Sequence, residues 1–358
     1  MKLRILLALP LLAAAPASET DPYAPGREVV AKIGTIVTPE GVQETFEVTL
    51  GGARQMVNVR GADRANPILL FVHGGPGAVE LPTAWAFQRP WEDVFTVVQW
   101  DQRGAGRSFP LNDPDALAPT LNPDRYRDDA IELIEQLTKR YGQRKVVLLG
   151  HSWGSAVGLA VAAKRPDLLH AYVGMGQIID FRKGERAGYE WTLAKAKAAG
   201  NATAVRELEA LEPYPGPGEF SIDKMTTERK WSVHYGALAA YRDNADFYFQ
   251  SKRLSPEYLP ADRKAWLDGS AFTIKAMFPQ LAPLSFAHVK RLDVPVVMLL
   301  GRHDYTTPSP IVADWMRELR APAKKIVWLE HSAHLPMIEE PGRTFAALLQ
   351  EVRPLAGR

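Results

Sequence analysis

Val146-Val147-Leu148-Leu149-Gly150-His151-Ser152-Trp153-Gly154-Ser155 is the stretch on which this 358-residue chain turns. A short apolar run ends in Gly-x-Ser-x-Gly and passes directly into Ala156-Val157-Gly158-Leu159-Ala160-Val161. This order reads as a buried strand, a tight turn carrying a serine, and a buried helix. A serine at so sharp a bend sits in a strained backbone conformation, so the residues two away on each side must lack bulk. Gly150 and Gly154 satisfy that condition. The hydroxyl then stands clear of the sheet, beside N-terminal helix N–H groups able to stabilise a developing oxyanion. A chance pentapeptide in a Gly-rich loop would not be framed by two apolar segments, so the framing favours the strand–turn–helix reading.

Outward from this stretch, strands and helices alternate. Pro67 to Val72 is an apolar run ending in His73-Gly74-Gly75-Pro76-Gly77. Phe95 to Trp100 is a second, ending in Asp101-Gln102-Arg103-Gly104-Ala105-Gly106-Arg107-Ser108. Asn122-Pro123-Asp124 reads as an N-cap and first turn, followed by a helical stripe (Tyr126, Ala130, Ile131, Leu133, Ile134, Leu137) that stops before Gly142. Further strands are expected at Leu169–Met175, Val294–Gly301 and Lys325–Leu329, with helices from Pro308 and near Pro341. Such alternation predicts an α/β fold, a mostly parallel sheet with helices on both faces. Before it, residues 27–60 alternate apolar and polar positions (Val29, Ala31, Ile33; Phe46, Val48, Leu50; Val57, Val59), which predicts antiparallel strands opening the sheet. Residues 181–287 break the pattern: helix formers and aromatics dominate, and the expectation is a helical cap over the sheet's functional edge. Most of those aromatics are expected to pack the cap's own core.

The expected division is a signal peptide at 1–17, a first core part at 18–180, the cap at 181–287 and a second core part at 288–358. The first segment has a basic head, a short apolar body and an Ala15-Pro16-Ala17 cleavage site. Its apolar run is too short to span a bilayer comfortably, so the mature protein is expected to be exported, periplasmic or secreted, and not membrane-bound. The formal net charge of +2 and scattered Lys and Arg point away from nucleic acid as a partner. The absence of cysteine removes disulfides, thiol nucleophiles and Cys-ligated metals. No standard metal-ligand set surrounds His331 and His334, and Gly104-Ala105-Gly106 is too short for a dinucleotide fingerprint. Neither metal nor cofactor is expected, and the partner is a small peptide or other small-molecule substrate.

Four loops at strand C-termini carry the candidate chemistry, at the edge where open α/β sheets place their sites. Ser152 is the candidate nucleophile. A serine hydroxyl is a poor nucleophile at neutral pH, so a neutral imidazole must take its proton and a carboxylate must hold that imidazole in the right tautomer. His334, in the loop before the last helix, is preferred as base over His331, which lies nearer the strand end. Asp304 is preferred as acid over Asp180, which follows the preceding strand. The backbone of His73–Gly77 is free of bulk, so the Gly75 N–H and the Trp153 N–H are the expected oxyanion donors. The order Ser, Asp, His is that of an α/β-hydrolase. A carboxylate nucleophile, as dehalogenases and epoxide hydrolases need, is absent from the elbow.

His73–Gly77, Asp101–Ser108 and Gly150–Ser155 together resemble the proline iminopeptidase family of α/β-hydrolases, from about residue 45 to 175 and from 294 onward. The resemblance implies release of an N-terminal residue, typically proline, from short peptides, with Ser152, Asp304 and His334 as triad and Gly75 with Trp153 as oxyanion donors. It also implies cap glutamates that hold the substrate's free amine, one often in a Trp-x-x-Trp-Glu stretch. Here Trp231-Ser232-Val233-His234 has no such sequel and Gly188-Tyr189-Glu190-Trp191 is a loose echo. A buried ammonium needs a carboxylate partner, and Glu80, Glu190 and Glu228 are unranked candidates. The alternatives are an esterase or other serine hydrolase with the same triad, and a non-catalytic binding protein on a hydrolase scaffold.

Overall fold

The computed structural model describes residues 21–357 apart from residue 219; the expected signal peptide lies outside them. Eight strands form one sheet: β1 (Val42–Leu50), β2 (Ala53–Gly61), β3 (Ile68–Val72), β4 (Thr96–Asp101), β5 (Val146–His151), β6 (Leu169–Met175), β7 (Val296–Gly301) and β8 (Lys324–Leu329). Their spatial order is β1-β2-β4-β3-β5-β6-β7-β8. β1 pairs antiparallel with β2, and β2 with β4, while every other pairing is parallel.

The parallel strands read as continuous apolar runs because both of their faces are covered. Side chains alternate strictly between two cores. Ile68, Leu70, Val72, Val146, Leu148, Val296 and Met298 face one side, and Leu69, Phe71, Val147, Leu149, Val297 and Leu299 face the other. Each fully buried aliphatic side chain contributes about 1.5–3 kcal/mol relative to exposure, so a one-residue slip in any of these strands is strongly disfavoured. The helix Pro123–Tyr141 packs Ile134 and Leu137 on the first face. The Asn122 side chain caps it by accepting from the Arg125 N–H at 2.8 Å. It ends at Gly142, whose φ of 65° is the left-handed stop expected of a glycine there.

Residues 24–34 differ from the alternating pattern read in the sequence. Ala24–Gly34 is a helix, not a strand, with Pro in its first turn and a Glu28–Lys32 ion pair one turn apart. None of its residues is fully buried, and Ile33 is 75% exposed. Alternation is decisive only where a sheet neighbour gives each face a different environment. The sheet's edge strand begins at Val42, so local helix propensity prevails here.

Between β6 and β7 the chain forms the helices Phe181–Ala198, Ala202–Glu209, Ile222–His234, Asp246–Ser251 and Pro260–Leu281. The two ends of this excursion are tied together: Phe181 N–H donates to Leu284 O at 3.0 Å and Phe286 N–H to Ile179 O at 2.7 Å. The helices lie over the C-terminal edge of the sheet. Thr273 Oγ1 donates to Gly104 O at 2.8 Å, Tyr258 OH to Asp101 at 2.6 Å, and Tyr248 OH to Glu80 at 2.9 Å.

Candidate active site

β3 and β5 are neighbours, yet the chain leaves β3 towards β4 and returns across the sheet to enter β5. This reversal opens a crevice at their C-terminal ends, where α/β sheets bind ligands. Ser152 stands at that point with φ 53° and ψ −121°, directly before the helix Trp153–Lys164. Positive φ at a non-glycine residue costs of order 1–3 kcal/mol and persists only where the surroundings enforce it. They do so here by close contact. A Cβ on Gly154 would lie 1.9 Å from Val72 O, and one on Gly150 would lie 2.3 Å from Gly154 O. The Ser152 N–H is also fixed, donating to Met175 O at 3.0 Å.

After β3, the loop carrying Gly75 runs beside the elbow, and a Cβ on Gly74 would lie 3.0 Å from the Ser152 Cβ. Gly75 and Ser152 line the same cavity of about 180 Å³. The N–H groups of Gly75 and Trp153 have no acceptor among the described residues, as befits a loop and the first turn of a helix. The Asp101–Ser108 motif braces both. Gln102 Nε2 donates to His73 O at 2.9 Å, and Gln102 Oε1 accepts from the Trp153 indole at 3.2 Å. Burial pushes the His73 imidazole down to about 4, so it stays neutral and accepts from the Gln102 N–H at Nε2. Arg103 closes a bidentate pair with buried Asp129 at 2.7 and 2.9 Å, which pins the loop to the helix Pro123–Tyr141.

Asp304 follows β7 and His334 follows β8. Both are buried, and His334 Nδ1 lies 2.9 Å from Asp304 Oδ2. Thr307, which sequence reading passed over, donates to Asp304 from its N–H at 2.9 Å and from its hydroxyl at 3.0 Å. The elbow is joined to this pair by His151, whose Nε2 lies 2.9 Å from His334 O. Burial lowers the His151 pKa to about 3, so its Nε2 carries the single ring proton and donates it to that carbonyl. Beneath the His334 ring is Gly176, where a Cβ would lie 2.7 Å from Cε1. The two rivals make other contacts, although Asp180 lines the same cavity as Ser152. His331 is exposed, with Nδ1 3.4 Å from Tyr241 OH. Asp180 caps the helix Phe181–Ala198 through Lys183 N–H at 2.9 Å and accepts from Ser285 at 2.9 Å.

The apolar part of the cavity is formed by Ile178, Ile179, Phe181, Met225, Ile274 and Ile311, and at one end stand Glu185 and Arg229. Arg229 pairs with Glu185 through one terminal nitrogen and with Glu228 through the other. Glu185 also accepts from Tyr214 OH at 2.5 Å, and Glu228 from Thr192 Oγ1 at 3.1 Å. Burial raises the Glu228 pKa, opposed by the Arg229 charge. Of the three glutamates proposed from sequence, only Glu228 belongs to this cluster. Glu190 points outward from its helix, exposed and paired with Arg186 at 2.7 Å. Glu80 is buried but bonded to Tyr248 and Thr83, and is not part of the cavity wall. Glu185 and Arg229 were missed because their meeting depends on how two cap helices pack; no local motif marks it.

Residues 67–341 match the family model of the alpha/beta hydrolase fold, and the chain belongs to that family. The probable aminopeptidase YbaC of Bacillus subtilis is 31% identical over 298 residues, 82% of this chain and 92% of that protein. The proline iminopeptidase of Neisseria gonorrhoeae is 26% identical over 315 residues, 81% of this chain and 89% of that one. Among solved structures, a proline iminopeptidase-related protein from Thermus thermophilus superimposes with a TM-score of 0.62 at 23% identity, covering 88% and 99% of the two chains. The family resemblance read from the three motifs therefore stands, and the chain is a hydrolase-family protein with peptidase-named relatives.

Proposed function

We propose that the chain is a serine hydrolase acting through Ser152, His334 and Asp304, and that it is an aminopeptidase. The observation that carries the first part is the buried 2.9 Å His334–Asp304 hydrogen bond, joined through His151 to the strained Ser152. Asp304 accepts the Nδ1 proton, which leaves Nε2 of His334 as the base. As Ser152 Oγ attacks the substrate carbonyl, its proton passes to Nε2 and the oxyanion is received by the Gly75 and Trp153 N–H groups. The imidazolium then protonates the departing amine. Water, deprotonated by the same nitrogen, releases the acid and restores Ser152.

The aminopeptidase reading draws on the names of the relatives and on the Glu185–Arg229–Glu228 cluster. The cluster sets two carboxyl groups against one guanidinium, so it has room for one further cation, and a substrate ammonium supplies it. A second reading, an esterase, is favoured by the apolar lining and by the guanidinium standing at the cavity wall. A panel of aminoacyl chromogenic substrates, free and N-acylated, separates the two. Turnover confined to the free amines supports the aminopeptidase. Equal turnover of N-acylated substrates supports the esterase. Wild-type protein that resists a serine-directed phosphonate overturns both.

A further inference from the structure

Residues 237–241, between two cap helices, form a strap across the loops that carry Asp304 and His334. Ala237 O accepts from Thr306 Oγ1 at 3.2 Å, and Leu238 O accepts from the His334 N–H at 3.1 Å. The Tyr241 hydroxyl lies 2.9 Å from His303 Nε2 and 3.4 Å from His331 Nδ1. Tyr241 does this at a φ of 61°, a strained value for an aromatic residue that its surroundings must enforce.

At the centre of these contacts is Glu339, five residues after His334. Its Oε1 accepts from the Ala240 N–H of the strap at 2.6 Å. Its Oε2 accepts from the Ala333 N–H at 3.0 Å and the Leu335 N–H at 3.1 Å. One carboxylate thus grips the residues on both sides of His334 and the cap segment lying over them. A catalytic imidazole must be held within about 0.5 Å of its working position, and among the described residues its ring hydrogen-bonds only through Nδ1, to Asp304 and Thr307.

We propose that Glu339 is a positioning residue for His334, and that its ionised carboxylate couples the seating of the cap to the alignment of the base. The inference rests on His334 being the base. The carboxylate form meets these contacts best, because protonation would put a donor on a group that three N–H groups converge on. The titratable and charged groups around it are Asp304 after β7, His331 and His334 after β8, Tyr241 of the strap, and Glu340 and Arg343 beside it in the chain. Glu340 engages a different part of the loop, accepting from the His331 N–H and the Ser332 hydroxyl at 2.8 Å each. Burial moves Glu339 up to about 6, with Asp304 adding to the rise and the three N–H donors opposing it. The carboxylate is therefore present above that pH and lost below it.

The test compares full-length wild type, Glu339→Gln and Glu339→Asp on a substrate the wild type turns over. The measurements are kcat, KM, the rate of phosphonate labelling at Ser152, and thermal unfolding. Expected for Glu339→Gln is a kcat about 10- to 100-fold lower, as for loss of an outer hydrogen-bonding partner, with KM changed little and labelling slowed in parallel. The aspartate variant should regain part of the rate. In wild type log kcat/KM should fall by an extra step of about one to two units as the pH drops through about 6, from Glu339, and this step should be absent in Glu339→Gln. A folded Glu339→Gln variant with wild-type kcat, or acid limbs of the same shape in wild type and Glu339→Gln, overturns the proposal. Should His334→Ala keep its activity, the triad reading fails instead, and that outcome is distinct.

Discussion

The sheet edge and the helical segment above it solve the same problem, holding buried polar groups, in opposite ways. At the edge, position is imposed by backbone. Ser152 is fixed by φ and by glycine contacts with β3, and Asp304 and His334 by the strand ends and by N–H groups. In the helical segment, position is imposed by charge: Glu185 and Glu228 are buried around one guanidinium. Backbone constraint tolerates a change of side chain and loses only chemistry. Charge compensation loses structure when one partner goes, because an unpaired buried charge is costly.

Substitutions in both regions test that contrast. Ser152→Ala should lower kcat by about 10⁵- to 10⁶-fold, with the melting temperature nearly unchanged; a large fall in melting temperature would mean that the elbow needs its side chain. Asp304→Asn should cost about 10⁴-fold in kcat through the wrong imidazole tautomer, again in a folded protein by circular dichroism. Arg229→Met should do the reverse and reduce stability by about 3–5 kcal/mol, read by urea unfolding. Adding Glu185→Gln and Glu228→Gln should restore most of that loss, and a variant that stays unstable would show that packing, not charge, is the cause. The smallest effect belongs to Glu190→Gln, whose exposed pair with Arg186 contributes about 0–1 kcal/mol and whose removal should leave KM for a free aminoacyl substrate unchanged. A rise in that KM would return Glu190 to the binding site.

What could be read before folding follows from this division. The elbow, the order of Ser152, Asp304 and His334, and the glycine-rich loop after β3 are local: each needs only a strand, a turn and a few neighbouring residues. The sheet's central strands were legible because burial on both faces demands apolar runs. The first helix was not, since Val29, Ala31 and Ile33 fit either period when no neighbour decides between them. Within the site, Thr307 and Glu339 lie three and five residues from Asp304 and His334, close enough for the sequence to have suggested them.

The sequence by itself determined the fold class and a serine set at the end of a buried strand, because these depend on hydrophobic period and on turn chemistry. Only the tertiary structure decided which carboxylates meet at Arg229 of the cavity wall. Glu185, Glu228 and Arg229 come from two helices whose relative rotation is set by side-chain packing, and nothing in the local pattern distinguishes Glu228, which is buried, from Glu190, which is exposed.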